Sequence, residues 1–488
     1  MSDPLFHGYT LLDRTFDELF LAPGEVRPEF RRAVGPFASR ELDALARAQS
    51  LAERALLNQG VTFSVYSDQR GTEKIFPVCM LPRLVSGEEW ERLERGLVQR
   101  VKALELFLDD VYGAQRILKE KAVPPELVLG AKGFEPKLVG VRPPGGVRMH
   151  VAGIDLIRDG QGTFRILEDN IRCPSGVSYV LENRLLSKRI LPDALDRARV
   201  QRVDLYPSKL AAALRSVSPE DPDRSTVVVL TPGPFNSAYF EHSFLARTMG
   251  LELVQAPDLY VEGDEVFLKT TRGPRRVHVI YRRTDDAFLD PDFFRPDSML
   301  GVRGLVRAWA AGKVALANAP GNGVADDKAV CALVPDMIRF YLGEDALIEQ
   351  VPTWLCVRKE DQAFVTSHLD ELVVKAVDEA GGYGMLMGPS ATQAERDEFR
   401  RRIDADPRRY VAQRRVELSA CPTWDADTRT VQPRRVDLRP YVVSGADGPW
   451  VLPGGLTRVA LRKGSYVVNS SQGGGSKDTW VLKKGGAA

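Results

Sequence analysis

Hydrophobic and polar residues change their period several times along the chain, and each change marks a predicted element. Residues 10–60 place apolar residues at helical spacing among many alanines, arginines and glutamates, and Gly60 is a typical helix stop. A second helical pattern covers 88–122 and is ended by Gly113 or by Pro124 and Pro125. Residues 134–170 then alternate as strands do. A helical N-terminal region is therefore expected to lead into a β-rich segment.

Residues 225–320 have the pattern of a parallel sheet. "STVVVLTPG" is typical of a buried strand, and "NSAYFEHSFLARTMG" is typical of a helix closed by Gly250. "LELVQAPD" and "VHVIYRRTDD" predict two further strands. Apolar strands that alternate with a helix indicate βαβ connections.

The remaining third of the chain mixes helices and strands. Residues 326–420 contain a helix, the strand "ELVVKAV", a glycine-rich loop, the charged helix "ATQAERDEFRRRIDADP" and the strand "YVAQRRVEL". Residues 435–488 are rich in strands. These patterns predict a protein of the α/β or α+β class, with boundaries near 225 and 326.

Composition narrows the class of protein. The 488 residues are too many for one core. The 67 Lys and Arg nearly cancel the 66 Asp and Glu, so no general attraction to nucleic acid or an anionic membrane is expected. No apolar run approaches the roughly 18 residues of a membrane span. Five scattered cysteines include no CxxC pair, and the N-terminus lacks the apolar core of a signal peptide, so a cytoplasmic protein is expected.

The stretch "GIDLIRDGQGTFRILEDN" (153–170) has the pattern of a β-hairpin with a polar end. Residues 159–162 are turn formers and predict a four-residue loop. In that register Asp155 faces Ile166 and lies diagonally beside Glu168. The even loop keeps both carboxylates on one face.

The polar end of this hairpin is a candidate metal site. Side chains alternate faces, so Asp155, Glu168 and Asn170 share one face, and Asp169 points away. Two carboxylates and an amide oxygen suit Mg²⁺ bound together with phosphates. The alternative is an exposed, polar strand end without a ligand.

The residues that follow offer contacts for an anion. Arg172 and the turn Pro174-Ser175-Gly176 lie directly beyond the acidic residues. The alternative is a turn that leads into a helix. Cys173 has no histidine near it in sequence, and a buried, inert cysteine is the commoner state.

The second half of the chain offers phosphate ligands. Lys375 lies on a predicted strand before a glycine-rich loop, whose backbone amides can approach phosphate oxygens. Lys328 lies at the start of a predicted helix. The spacing is neither that of a Walker A loop nor that of GxGxxG, so an ordinary hairpin is the alternative. The loop comprises Gly381, Gly382, Tyr383 and Gly384.

Three later strands add polar groups. "VDLRPYVV" places Asp437 and Arg439 on one strand face, and "GGLTRVAL" adds Arg458. "YVAQRRVEL" is interpreted as an edge strand whose backbone, with Gln413, binds an adenine. An ordinary strand is the alternative.

Several segments closely resemble the circularly permuted ATP-grasp family of bacterial proteins. They are "LEDNIRCPSGVSYVLENR", "GGYGM", "VDLRPYVV", "VLPGGLTRVAL" and "NSSQGGGSKDTWVL". The likeness runs from "GVTFSVYSDQRGTEKIFP" (60–77) to the end of the chain. The family is similar to glutathionylspermidine synthetase, an ATP-dependent carboxylate–amine ligase. Circular permutation fits a metal hairpin that precedes the nucleotide-binding lysines.

The resemblance implies roles for individual residues. In the synthetase an Asp and a Glu-x-Asn bind two Mg²⁺ ions, and the glycine loop resembles its phosphate-covering lid. The synthetase has an arginine two residues before its metal-binding Asp, where this chain has Gly153, and Arg148 or His150 is the candidate replacement. The matching metal ligands are Asp155, Glu168 and Asn170, and the matching ATP ligands are Lys328 and Lys375.

The resemblance also predicts a circularly permuted ATP-grasp fold in five parts. They are a helical N-terminal region (1–130), the metal-binding part of the catalytic core (131–224), a Rossmann-like pre-ATP-grasp domain with a parallel sheet (225–325), a nucleotide-binding subdomain with a glycine-rich lid (326–434) and C-terminal strands that complete the core (435–488).

The expected activity is ligation of a small-molecule or peptide carboxylate to an amine, with ATP, Mg²⁺ and an acyl-phosphate intermediate. Arg439 and Arg172 would stabilise the anionic transition state, and Arg458 and Gln413 would contact the nucleotide. A non-catalytic nucleotide-binding module and an ATP-dependent phosphotransferase are the alternatives.

Overall fold

The computed structural model describes residues 4–64, 73–378, 384–468 and 473–484. In chain order, the α-helices α1 to α16 are Arg31–Ala38, Leu42–Asn58, Gly87–Val111, Arg116–Lys119, Pro125–Leu129, Val177–Ile190, Pro192–Ala198, Tyr206–Ser216, Tyr239–Met249, Asp286–Leu289, Leu305–Ala310, Gly323–Asp326, Lys328–Cys331, Val334–Leu342, Lys359–Ser367 and Gln393–Ala405. The strands β1 to β22 are Phe20–Ala22, Glu25–Val26, Thr62–Ser64, Glu73–Ile75, Val78–Val85, Val151–Arg158, Phe164–Asn170, Val227–Leu230, Glu252–Val254, Leu259–Glu262, Glu265–Leu268, Arg275–Val277, Val279–Arg282, Ala315–Ala317, Thr353–Leu355, Leu372–Ala376, Met385–Met387, Tyr410–Arg414, Ala420–Asp425, Thr430–Gly445, Gly448–Val459 and Gly475–Val481. None of the helices in these residues is long and apolar enough to cross a membrane.

A seven-stranded sheet lies at the centre of the fold. Its order is β5-β22-β21-β20-β6-β7, and β19 pairs with β20. The neighbours are antiparallel except β22 and β5, which are parallel. The strands that carry the candidate acids and arginines, β21, β20, β6 and β7, are therefore consecutive neighbours.

Helix α3 packs on the central sheet, over β20 and β21. Ser86 caps its N-terminus by accepting a hydrogen bond from the Glu89 amide at 3.1 Å. Its apolar side chains share a core with Ile154, Leu156 and Ile166 of the hairpin. Because side chains alternate along β6, Asp155 lies on the opposite face, away from this core.

The parallel sheet predicted for 225–320 is present. Its order is β14-β13-β8-β9, and every pair is parallel. Helix α9 ends at Gly250, which has φ 67°, in the left-handed region that favours glycine at a helix end.

A separate antiparallel sheet has the order β15-β18-β16-β17. It carries Lys375 on β16 and Gln413 on β18. The prediction of an edge strand at 410–418 is wrong, because β18 pairs with β15 on one side and β16 on the other. Both rows of backbone groups are used within the sheet.

The N-terminal region is less helical than its sequence predicts. Residues 10–30 contain the strands β1 and β2, and the first α-helix begins at Arg31. The predicted helix 88–122 ends at Val111 and is followed by a short second helix, α4. Strand β5, within the region predicted as helical, pairs with β22 and forms one edge of the central sheet. That partner is too distant in sequence for local periodicity to indicate it. The five-part division of the chain stays a prediction.

We expect Gly133→Ala to destabilise the protein by about 1–3 kcal/mol, because the added methyl group would overpack the space around residue 133. A Cβ at this position would lie 2.1 Å from the backbone carbonyl carbon of Gly323, which is the first residue of α12. The measurement is the midpoint of chemical unfolding. Gly35→Ala in α1 is the control, since a Cβ there meets no atom within 4 Å and is expected to be neutral or slightly stabilising. An unchanged midpoint for Gly133→Ala would contradict the packing described.

Candidate functional site

The hairpin β6–β7 brings the predicted metal ligands to one face. Asp155 lies directly opposite Glu168, and Gly153 lies opposite Asn170. The predicted pairing of Asp155 with Ile166 is wrong by two residues on β7. The shared face is nevertheless present, since directly paired residues point the same way.

A β-bulge explains why the face is preserved. The loop is Asp159–Thr163, one residue longer than predicted, and Asp159 Oδ1 accepts the amides of Gln161 and Thr163 at 3.0 Å. An odd loop with regular pairing would place Glu168 opposite Ile154, away from Asp155. The register shifts by one residue between the Asp155 and Leu156 pairs, and this shift restores the alignment.

Asp155 is buried between two arginines of the neighbouring strands. Arg439 is bidentate: its Nη2 donates to Oδ2 at 2.9 Å, and its Nε donates to Oδ1. Arg458 Nη2 also donates to Oδ2, at 2.8 Å. The same arginine donates Nε to the two oxygens of Asp437 at 2.9 and 3.0 Å. Two carboxylates and two guanidinium groups thus form one compact network.

The network shifts the pKa values of its acids in opposite directions. Burial alone would raise the pKa of Asp155, but the charges of Arg439 and Arg458 outweigh it and hold that pKa below its usual value. Burial raises the pKa of Asp437 despite the opposing charge of Arg458. Asp155 is therefore the acid that is more strongly stabilised as an anion.

Both predicted ATP-binding lysines lie near the end of β7 that carries Glu168 and Asn170. We call this segment the metal-type strand end. Lys328 begins α13, and its Nζ is 3.9 Å from Glu168 Oε2. Lys375 Nζ donates to Gln413 Oε1 at 2.8 Å. Burial lowers the pKa of Lys375, the charge of Glu168 opposes that effect, and the charge of Lys328 adds to it. Glu168 is thus electrostatically coupled to both lysines.

Gln413 supports Lys375 in this structure. Its Oε1 accepts from the lysine, and its Nε2 donates to Thr353 Oγ1 at 2.9 Å. The side chain is 8% exposed. The role of Gln413 in adenine binding stays a prediction.

A cleft of about 1040 Å³, partly open to solvent, lies beside the end of β7, but its lining does not include Lys375, Gln413 or Asp155. Glu168, Asn170, Lys328 and Arg172 are among its lining residues. Arg172 lies on its wall, where Nε donates to Asp326 Oδ2 at 2.6 Å and Nη1 donates to Asp285 at 3.2 Å. Arg172 is therefore close to the metal-type strand end but is held by two carboxylates.

The resemblance leads one to expect an arginine at position 153, where this chain has Gly153. An arginine of the neighbouring strand, Arg439, lies beside this position. A Cβ at Gly153 would lie 3.2 Å from Arg439 Cδ, so Arg439 fills the space beside it. Arg148 instead donates Nη2 to the Val141 carbonyl at 2.5 Å. His150 is buried, and burial lowers its pKa to about 3. Arg439, and neither Arg148 nor His150, contacts Asp155.

The donor set fits Mg²⁺ in part. Asn170 Nδ2 is buried without a hydrogen-bond partner in the described part of the chain, and the Glu168 carboxylate lies beside it at the cleft. The amide oxygen of Asn170 and the carboxylate of Glu168 are oxygen ligands of the kind that suits Mg²⁺ bound with phosphates. Asp155 has both oxygens bound to arginines, so it would join a metal only if Arg439 moved. Within 4–64, 73–378, 384–468 and 473–484 no group of three or more His, Cys, Asp or Glu has a metal-binding arrangement.

The described residues include only the last glycine of the predicted glycine loop. Gly381, Gly382 and Tyr383 lie outside the described residues. Gly384 is described and has φ 63°, a conformation that favours glycine. A lid at this loop stays a prediction.

Two acids beside Lys328 were not predicted as parts of the site. Asp326 Oδ1 accepts the Ile171 amide at 2.7 Å and so fixes the end of β7. Asp327 caps α13 through the Ala329 amide at 2.8 Å and accepts from Arg408 at 2.8 Å. An Asp before an apolar helical run is a capping signal that could have identified Asp327. No local pattern indicates the long-range contact of Asp326.

The strand end with Glu168 and Asn170 in the central sheet thus lies near Lys328 of α13 and Lys375 of a second, antiparallel sheet. The chain belongs to the circularly permuted ATP-grasp type 2 family, whose profile matches residues 82–460. This result confirms the predicted family and fold class.

Relatives at high identity span nearly the whole chain. An uncharacterised protein of Synechocystis sp. is 54% identical over 96% of this chain and 97% of its own length. An uncharacterised protein of Mycobacterium tuberculosis is 52% identical over 98% of this chain and 86% of its own length. A Frankia alni protein named "Putative glutamate--cysteine ligase 2-3" is 42% identical over 96% of this chain, which spans 54% of that protein.

A solved structure supports the fold alone. The glutathione synthetase-like effector GSS30 of Globodera pallida, in its apo form, matches with a TM-score of 0.58 and 11% sequence identity. The match covers 91% of this chain and 98% of the effector.

We expect Arg439→Met to destabilise the protein by about 3–5 kcal/mol at pH 7, because it leaves a buried carboxylate short of one cation. Asp155 has a lowered pKa when folded, so its contribution is complete above an unfolded pKa of about 3.9 and is lost as the pH falls below it. The difference in melting temperature between wild type and variant should therefore narrow below about pH 4.

The matched control for this experiment is Arg303→Met. Arg303 pairs with Asp292 at 2.5 Å, but both side chains are more than half exposed, so a change of less than about 1 kcal/mol is expected. A pH-independent difference for Arg439→Met would refute the assignment to Asp155.

Proposed function

We propose that this protein is an ATP-dependent ligase that joins a carboxylate to an amine through an acyl-phosphate intermediate. The proposal rests on one observation above all: Glu168 and Asn170 line the same cleft as Lys328, and Glu168 is electrostatically coupled to Lys375. Acidic metal-type ligands beside two lysines suit a magnesium-bound triphosphate.

Glu168 and Asn170 would hold Mg²⁺, and Asp155 would join them if Arg439 released it. Bound Mg²⁺ neutralises phosphate charge and orients the transferred phosphoryl group. Two ions are proposed by analogy with the synthetase that the sequence resembles.

The protein's own groups supply the remaining electrostatics. Lys328 and Lys375 bind the phosphates as point charges. Gln413 holds the Lys375 ammonium in place. Arg439, once released from Asp155, would supply a cation for the charge that develops when the substrate carboxylate attacks the γ-phosphoryl group. An amine then displaces phosphate and forms the amide or peptide bond.

The substrates are proposed as a class. The Frankia relative, which is about twice as long as the matched region, is named as a glutamate–cysteine ligase, and this name supports a carboxylate and an amine as the two substrates. Glutamate and cysteine are therefore the first pair to test, followed by other amino acids, peptides and diamines.

The direct experiment is ATP consumption by purified protein with these acids and amines, with products identified by mass spectrometry. We expect Glu168→Gln and Asn170→Ala to lose Mg²⁺-dependent turnover while their circular dichroism spectra match that of the wild type. The reason is that each substitution removes one oxygen donor from the metal-type strand end.

Glu349→Gln is the matched control, because this carboxylate lies beside β7 but is 71% exposed and pairs with Arg165. It should turn over normally. Wild-type turnover in both Glu168→Gln and Asn170→Ala would remove this strand end from the catalytic site. A phosphorylated product that accumulates without an amide would instead indicate a phosphotransferase, and nucleotide binding without turnover would indicate a non-catalytic module.

A further inference from the structure

Asp169 lies between the two proposed metal ligands but points to the opposite face of β7. Its carboxylate is buried against α3, where Arg100 Nε donates to Oδ1 at 2.7 Å and Arg100 Nη2 donates to Oδ2 at 2.6 Å. Their side chains are 2% and 0% exposed. The Arg100 guanidinium group thus holds the backbone that carries Glu168 and Asn170 through an ion pair on the opposite face of β7.

The same guanidinium contacts the helix that begins with Lys328. Arg100 Nη2 donates to Cys331 Sγ at 3.4 Å, at the last residue of α13. Lys328 is the first residue of that four-residue helix, and its Nζ lies 3.9 Å from Glu168. Arg100 therefore links the proposed metal strand and the proposed phosphate-binding lysine.

A third contact extends toward the sheet that carries Lys375. Arg100 Nη1 donates to Gln350 Oε1 at 3.3 Å, and Gln350 Nε2 donates to the Ala332 carbonyl at 2.9 Å. The backbone on either side of Gln350 pairs with Ile166 of β7, through bonds of 2.9 Å from Ile166 to Glu349 and from Val351 to Ile166.

Three residues after Gln350 the chain enters the antiparallel sheet that carries Lys375. Strand β15 begins at Thr353, whose Oγ1 accepts from Gln413. Gln413 in turn accepts from Lys375. A continuous set of contacts therefore runs from Asp169 through Arg100 and the 350–353 segment to Lys375.

We propose that Arg100 and Asp169 are positioning residues that fix the spacing between the metal-binding strand end and the two phosphate-binding lysines. This inference rests on the proposed function. The pair touches neither metal nor nucleotide; it acts through β7, α13 and the 350–353 segment. Residues that orient metal ligands from outside commonly change metal affinity by 10–100-fold when replaced.

The test measures binding of the non-hydrolysable analogue AMP-PNP to the full chain by calorimetry, with excess Mg²⁺ and with EDTA. The ratio of the two dissociation constants reports how much Mg²⁺ strengthens nucleotide binding. We expect Arg100→Lys and Asp169→Asn to reduce that ratio by at least tenfold, because the metal ligands and the lysines no longer meet the triphosphate together. Gln350→Ala, which removes two hydrogen bonds but leaves the Arg100–Asp169 pair intact, should reduce it less.

Arg184→Lys is the matched control. Arg184 forms a buried pair with Asp478 at 2.8 Å, and both side chains are 4% exposed. Its partners are Asp478 and the carbonyls of Thr479 and Gln201, all outside the chain of contacts described above. The control should lower the melting temperature and leave the ratio unchanged, as any purely stabilising ion pair would.

Unchanged ratios in folded Arg100→Lys and Asp169→Asn would overturn the inference and leave the proposed function intact. If both variants fail to fold, an unchanged ratio in Gln350→Ala overturns it. A wild-type protein whose AMP-PNP binding is insensitive to Mg²⁺ would instead refute the proposed function itself.

Discussion

The buried charge network at the middle of the central sheet is the constraint on which the site depends. Asp155 cannot remain ionised in that environment without cations, and Arg439 and Arg458 supply them from the two strands that follow one another beside β6. A buried carboxylate that loses one of its cationic partners destabilises the folded protein. The order β21-β20-β6-β7 is therefore required by charge as well as by hydrophobic packing.

The two faces of β7 have different roles. One face opens on the cleft, and the other forms the ion pair with Arg100 of α3. Glu168 and Asn170 lie on the open face with only weak internal contacts, whereas Asp169 is fully engaged on the packed face. Alternation along a strand allows three consecutive polar residues to serve both tasks. The polar ending that looks unfavourable for a strand is thus stabilised on one side and left available on the other.

Periodicity predicted the parallel sheet, the charged helix and the shared face of Asp155, Glu168 and Asn170, because each depends on local spacing. It could not predict the longer loop or the bulge, each of which shifts the pairing by one residue, and the register at Asp155 was therefore wrong by two residues. The edge position assigned to β18 was wrong for a similar reason, since β15 is distant in sequence. The partners of Asp155 and Arg172 also come from remote segments, and only the fold brings them together.

The position of β20 has a consequence for the order in which the molecule is built. Strand β6 pairs with its sequence neighbour β7 on one side, but its other partner, β20, is synthesised hundreds of residues later. Until β20 arrives, β6 presents an open edge, and such edges invite aberrant pairing between chains. High contact order of this kind slows folding. A nascent chain would therefore carry its most sensitive strand unprotected for most of its synthesis.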